Sequence, residues 1–263
     1  MKMFVDALSL NLRSQPIVSP STKIGSLFLG TAVEVAGSPD AGGFVKVTAT
    51  IDGAKEEGFV SAKFLREPAS DTREALIAEA VKQWLRFERG LGKEHVRPFF
   101  RFVGEMWQAL NPPLALDGRD RDVPWSAACI SFIARKSGPA YAKFKFAPGH
   151  SKYIHDSINK RSKNNKDTPF WGFRLHERRP KLGDMVCRWR EQPIDFDTAE
   201  HSDSFKSHCD IVVSIDSANN TLLAIGGNVS HSVSVTSYHL TAGDFLADRD
   251  AVFALLANIT DDT

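Results

Sequence analysis

Hydrophobic and polar positions follow two rhythms along the chain, and the change falls near residue 70. Over residues 4–67, β-forming clusters at Val33-Glu34-Val35, Phe44-Val45-Lys46-Val47 and Gly58-Phe59-Val60 are separated by turn formers. The turns are Gly30, Gly37-Ser38-Pro39-Asp40, Gly42-Gly43 and Asp52-Gly53. Short alternating runs bounded by Gly, Pro and Asp mark strands and tight turns. No helical period is visible here, so a small all-β barrel is predicted, because closure removes exposed strand edges. Residues 68–71 read as a linker in which Ser70 or Asp71 can cap a following helix.

From Thr72 the period lengthens. Ala75, Leu76, Ala80, Val81, Trp84, Leu85 and Phe87 recur near helical spacing to about Gly90. Phe99, Phe100, Phe102, Val103, Met106, Trp107 and Leu110 form a second amphipathic stretch, ended by Asn111-Pro112-Pro113. Residues 124–138, PWSAACISFIARKSG, predict a third helix that starts at Pro124 or Trp125 and is capped by Gly138. Residues 160–180 are polar and basic and predict a loop. Strands return over 184–189, 209–215, 222–225 and 233–237, and a last helix is predicted over 248–258. Helices first and a β-meander later predict an α+β domain over 72–263, behind an all-β domain over 1–67.

With 42% hydrophobic and 25% charged residues, 263 residues can build a core without staples. A formal net charge of +1 gives no bulk drive towards nucleic acid or a membrane surface. Lys160-Arg161 and Arg178-Arg179 are local and expected to be solvated. Cys129, Cys187 and Cys209 are too few and too odd in number for a disulfide framework, which fits a reducing compartment. The opening MKMFVDALSLNLRSQP lacks the continuous apolar stretch of a signal peptide. No apolar run approaches the ~20 residues of a membrane span. Synthesis in the cytoplasm is expected, with delivery to the periplasm or cell wall requiring a non-classical route.

Ser126 sits in the first turn of the third predicted helix and Cys129 one turn later. A helix start carries partial positive charge and unpaired N–H groups, which favour a thiolate or a developing oxyanion. On that ground alone Cys129 is the tempting nucleophile, yet its neighbours Ala128, Ile130, Phe132 and Ile133 predict burial. Cys187, in a strand, is expected to pack in the core and is the other alternative nucleophile. His208 stands at a strand start, and by residue type alone it reads as a satisfied or exposed histidine. His150, in FAPGHSKYI, is a candidate to line the cleft beside Ser126. No HExxH, CxxC or Gly-rich phosphate loop appears, so no metal and no cofactor are expected.

Several segments also resemble known families. LNLRSQP, IGSLFLGTAVEV, GGFVKV and GFVSAKFL are similar to the bacterial SH3-like domain, which implies a barrel that binds cell-wall peptides. PWSAACISFIA resembles the P-W-C-A-A-F-V-x-W signature of CHAP-type and NlpC-type cell-wall amidases and peptidases, whose fold is papain-like. Aligned without gaps, the family's cysteine falls on Ser126 and its phenylalanine on Cys129. RPKLGDMVCRWR followed by SHCDIVVSI resembles the strand pair in which His208 takes the place of the catalytic histidine. LLAIGGNVSHSVSV resembles the G-G-N segment, with Asn228 as the residue that orients the imidazole. Asp210 is its rival, because i and i+2 on a strand share a face; Asp184 resembles a structural turn residue.

The resemblance covers roughly residues 123–240. It implies a peptidoglycan hydrolase, an amidase or endopeptidase, from a branch with serine in place of cysteine. Ser126 would attack, His208 accept its proton, and Asn228 or Asp210 hold His208, with Trp125 and His150 lining the substrate cleft. The implied partners are peptidoglycan or its peptide stems and a cognate inhibitor (immunity) protein, the chain itself being a monomer. Serine is far less acidic than cysteine, so a base activates Ser126, or the site is inactive, or the serine is an engineered substitution. The first case suits an injected antibacterial effector or a lysin. The second leaves a catalytically inactive wall-binding or protein-interaction module.

Overall fold

A computed structural model describes residues 1–51 and 53–261, so Asp52 of the expected Asp52-Gly53 turn lies outside the described residues. The chain divides into two compact units, Met1–Asp71 and Thr72–Thr263.

The first unit is a seven-stranded antiparallel sheet of β1 (Lys2–Val5), β2 (Ser9–Arg13), β3 (Lys23–Phe28), β4 (Ala32–Ala36), β5 (Phe44–Ile51), β6 (Ala54–Ser61) and β7 (Leu65–Arg66). Its strand order is β3-β2-β6-β5-β4-β1-β7. Along β5, Val45, Val47 and Ala49 are buried while Lys46 is exposed, as period-two alternation demands. These side chains meet Val5, Leu12, Leu27, Val33 and Val60 in one core. Gly58 lets β6 cross β2 closely: a β-carbon there would stand 2.7 Å from the Arg13 carbonyl oxygen.

The second unit is α+β. Its helices are α1 (Asp71–Arg86), which begins at the unit boundary, α2 (Phe99–Trp107), α3 (Ser126–Lys136), α4 (His150–Ser162) and the short α5 (Phe196–His201). Its strands are β8 (Phe170–Phe173), β9 (Met185–Trp189), β10 (Ser207–Asp216), β11 (Thr221–Val229), β12 (Ser232–His239) and β13 (Val252–Asn258). They form an antiparallel sheet in the order β12-β11-β10-β9-β13-β8. Helix α3 packs on β10 and β11, and α4 on β8 and β10. All of residues 126–134 are buried, which explains an apolar pattern with little polar face.

Two expectations are corrected here. The segment predicted as a last helix over 248–258 is largely strand β13, running between β9 and β8 with all seven residues buried. A short run buried on both faces shows no alternation, so periodicity alone does not separate it from helix. The loop predicted over 160–180 holds the end of α4 and the aromatic strand β8, which pairs with β13.

A buried ion pair ties α1 to this sheet. Arg73 Nη1 donates to Asp184 Oδ1 at 2.9 Å. Asp184 also accepts the Asn258 N–H at 2.9 Å and the Lys181 N–H at 2.8 Å. Burial raises the Asp184 carboxyl above its ordinary value, against the pull of Arg73 and these N–H groups.

Candidate active site

Helix α3 opens at Ser126, with Trp125 as N-cap offering no side-chain hydrogen bond. The first-turn N–H groups of a helix have no intrahelical acceptor, so they point free donors past Ser126. Ser126 Oγ lies 2.7 Å from His150 Nε2. His150 opens α4, and its Nδ1 is hydrogen-bonded to the hydroxyl of Tyr153, three residues on and on the same helix face. The imidazole within reach of Ser126 is therefore His150, which the sequence reading placed only on the cleft wall.

His208 is near but differently engaged. Its ring centroid is 5.1 Å from that of His150. Arg190 Nη2 donates to His208 Nδ1 at 3.0 Å, and Nε2 meets Asp210 Oδ1 at 2.7 Å. An arginine only donates, so Nδ1 is the acceptor and the ring hydrogen sits on Nε2, facing Asp210. With both nitrogens occupied, His208 has no lone pair left for the Ser126 hydroxyl. The contact with Ser126 that the sequence reading gave to His208 is made by His150.

Asp210 is fully buried, and its second oxygen accepts the Tyr238 hydroxyl. Burial pushes its carboxyl up, but His208, Tyr238 and Arg188 outweigh that and hold it below 3.8. Asn228 has a left-handed backbone (φ 54°) beside a register shift between Gly226 and Val229. Among the described residues no hydrogen bond joins its side chain to His208, so the orienting contact belongs to Asp210.

Burial drives the His150 pKa well below 6.5, with the charges of Arg190 and Arg188 nearby adding to it. The imidazole is thus neutral at neutral pH. Burial likewise drives Tyr153 well above 10, so it remains a phenol. When Nδ1–H donates to the Tyr153 oxygen, the Nε2 lone pair faces Ser126 Oγ, the tautomer that base catalysis requires.

The remaining candidates are structural. Trp125 is buried, stacks on Phe87 with ring centroids 5.6 Å apart, and donates its indole N–H to Glu94. It is held in the core rather than offered to a substrate. Cys129 is fully buried and its thiol is pushed up by burial, so it is no ready nucleophile. Cys187 is fully buried opposite Cys209 in the β9–β10 register, and both are free thiols. Among the described residues no group of three or more His, Cys, Asp or Glu is arranged to hold a metal ion. Sequence reasoning missed Tyr153, Arg190 and Tyr238. The His-x-x-Tyr spacing of HSKY was the one signal available for Tyr153.

Gly226 makes room for the His208–Asp210 pair: a β-carbon there would lie 1.6 Å from Asp210 Oδ1 and 3.0 Å from His208 Nε2. Gly226→Ala is expected to destabilise the protein by about 1–3 kcal/mol through overpacking. A urea titration measures this, and an unchanged midpoint would contradict the close packing.

The model of the family described as "Uncharacterized protein conserved in bacteria (DUF2272)" matches residues 107–255, a span that holds Ser126, His150, Tyr153, His208 and Asp210. Among solved structures the chain is similar to one described as "Structure of NlpC2 from Trichomonas vaginalis", with 11% identity and a TM-score of 0.26, covering 97% of this chain and 72% of that one. No curated protein matches the chain.

Proposed function

The chain belongs to the bacterial family DUF2272, and we propose that its Thr72–Thr263 unit is a papain-like serine hydrolase of amide bonds in peptidoglycan peptides. The observation that carries the chemistry is the 2.7 Å contact between Ser126 Oγ and a neutral, buried imidazole at the start of a helix. In this mechanism Ser126 Oγ attacks the amide carbonyl while its proton passes to His150 Nε2. The α3 N–H groups take the oxyanion. The C–N bond then breaks, the amine leaves with the proton from His150, and water cleaves the acyl ester through the same base. Tyr153 holds the ring, and His208 with Asp210 braces its other side.

The choice of peptidoglycan rests on the residues: PWSAACISFIA, RPKLGDMV and the G-G-N segment resemble wall amidases and peptidases. The Met1–Asp71 unit, read as SH3-like, offers a groove of about 660 Å³ lined by Leu10, Asn11, Arg13, Phe44 and Phe64 for wall peptides.

One observation favours the second reading, a catalytically silent module. Ser126 is only 3% exposed and His150 only 4%, so a substrate reaches them only when side chains above them move. Incubating the full chain with peptidoglycan and analysing released fragments by mass spectrometry separates the two. Cleavage by the wild type, lost in Ser126→Ala, supports the serine hydrolase. Binding without cleavage, or cleavage only by Ser126→Cys, favours a silent or disabled site.

A further inference from the structure

Two arginines beside the site lack the partner that others in this unit have. Arg188 lies on β9 opposite His208, and Arg190 follows two positions later, which puts both on one face while the strand pairing persists through Arg190 N–H and Lys206 C=O. Arg73, Arg86, Arg161 and Arg174 each meet a carboxylate. Among the described residues no carboxylate lies within ion-pair distance of Arg188 or Arg190, although the charge of Asp210 acts on both through space. Arg188 Nε is buried with no hydrogen-bond partner. The nearby acid, Asp210, already serves His208 and Tyr238.

Arg190 gives one nitrogen to His208 and, among the described residues, Arg188 has no acceptor at all; guanidinium N–H groups left unpaired in a half-buried site are costly, so the site is built for an anion. Arg190, though not Arg188, is reached from a cavity of about 530 Å³ lined also by Gln192, Thr198, Ser204, Phe205 and Lys206. In that cavity Lys206 is already paired with Glu191 at 2.6 Å. Arginine is the natural receptor for a planar carboxylate, which it grips with two parallel N–H bonds. We propose that Arg188 and Arg190 form a subsite for a free carboxylate of the peptide whose amide is presented to Ser126. This rests on the hydrolase reading and names its substrate class as an acidic stem peptide, with the carboxylate close to the scissile bond.

The test is calorimetry on the full-length Ser126→Ala chain. The probes are a disaccharide-tetrapeptide muropeptide with free carboxylates and the same compound fully amidated. The acid form is expected to bind about tenfold or more tightly than the amide, as charge-assisted hydrogen bonds to one carboxylate allow. Arg188→Gln and Arg190→Gln, each in that background, are expected to close most of the gap. If either fails to fold by circular dichroism, the lysine variant decides: loss of the fork still narrows the gap. Equal binding of the two probes, no binding of either, or a gap unchanged in both variants overturns the proposal. Failure of the hydrolase reading looks different: wild type then releases no fragments from peptidoglycan, whatever the binding result.

Discussion

Release of peptidoglycan fragments is expected to fall about 10⁴-fold or more in Ser126→Ala and about 10²–10⁴-fold in His150→Gln. His208→Ala is expected to cost less, because His208 touches the ring of the base and not the serine. Initial rates of fragment release at equal protein concentration measure all three. The reverse order, with His208→Ala silent and His150→Gln active, would return the base to His208. The pH profile carries the same signature. Burial holds His150 well below 6.5, so the acid limb of kcat/KM is expected to lie below that value. The sign for stability follows. The unfolded chain takes up a proton near pH 6.5 and the native His150 does not, so stability is lost as pH falls below 6.5, by about 1.4 kcal/mol per unit from this site.

Asp184→Ala is expected to destabilise the protein by about 3–5 kcal/mol, the range for breaking a buried ion pair. The carboxylate joins Arg73 of α1, the Lys181 N–H before β9 and the Asn258 N–H at the end of β13. Removing it takes the acceptor from two N–H groups and a buried carboxylate from Arg73, which keeps Asp261 and the Leu182 and Asn258 carbonyls. Asp184→Asn keeps one acceptor oxygen and is expected to cost less. The shift in urea midpoint measures both, and a loss under about 1 kcal/mol for Asp184→Ala would show that the knot is not needed.

Much of this was legible in the residues. Clusters of β-formers between turns marked β4, β5 and β6 of the first unit, and the small-then-apolar grammar of residues 124–138 marked α3 with Ser126 at its start. Asp210 could be read from its i, i+2 spacing to His208. The partner of Ser126 could not. His150 lies 24 positions away on another helix, and only the docking of α3 and α4 on the same strand, β10, brings the two together. A histidine at a strand start looked like the better base because sequence does not show Arg190 occupying its Nδ1. Trp125 reads as available because sequence does not show its indole N–H donating to a buried Glu94. Strand β13 was hidden because burial on both faces erases the alternation that reveals strands.

A serine whose proton is taken by a neighbouring imidazole reacts with fluorophosphonates, and an ordinary serine hydroxyl does not. Intact-mass and peptide mapping after exposure of the folded chain to diisopropyl fluorophosphate should show one adduct, on Ser126, that is absent in Ser126→Ala and much slower to form in His150→Gln. A folded wild-type chain that stays unlabelled at Ser126, or labels as fast without the His150 imidazole, would contradict the Ser126–His150 pair as a catalytic unit.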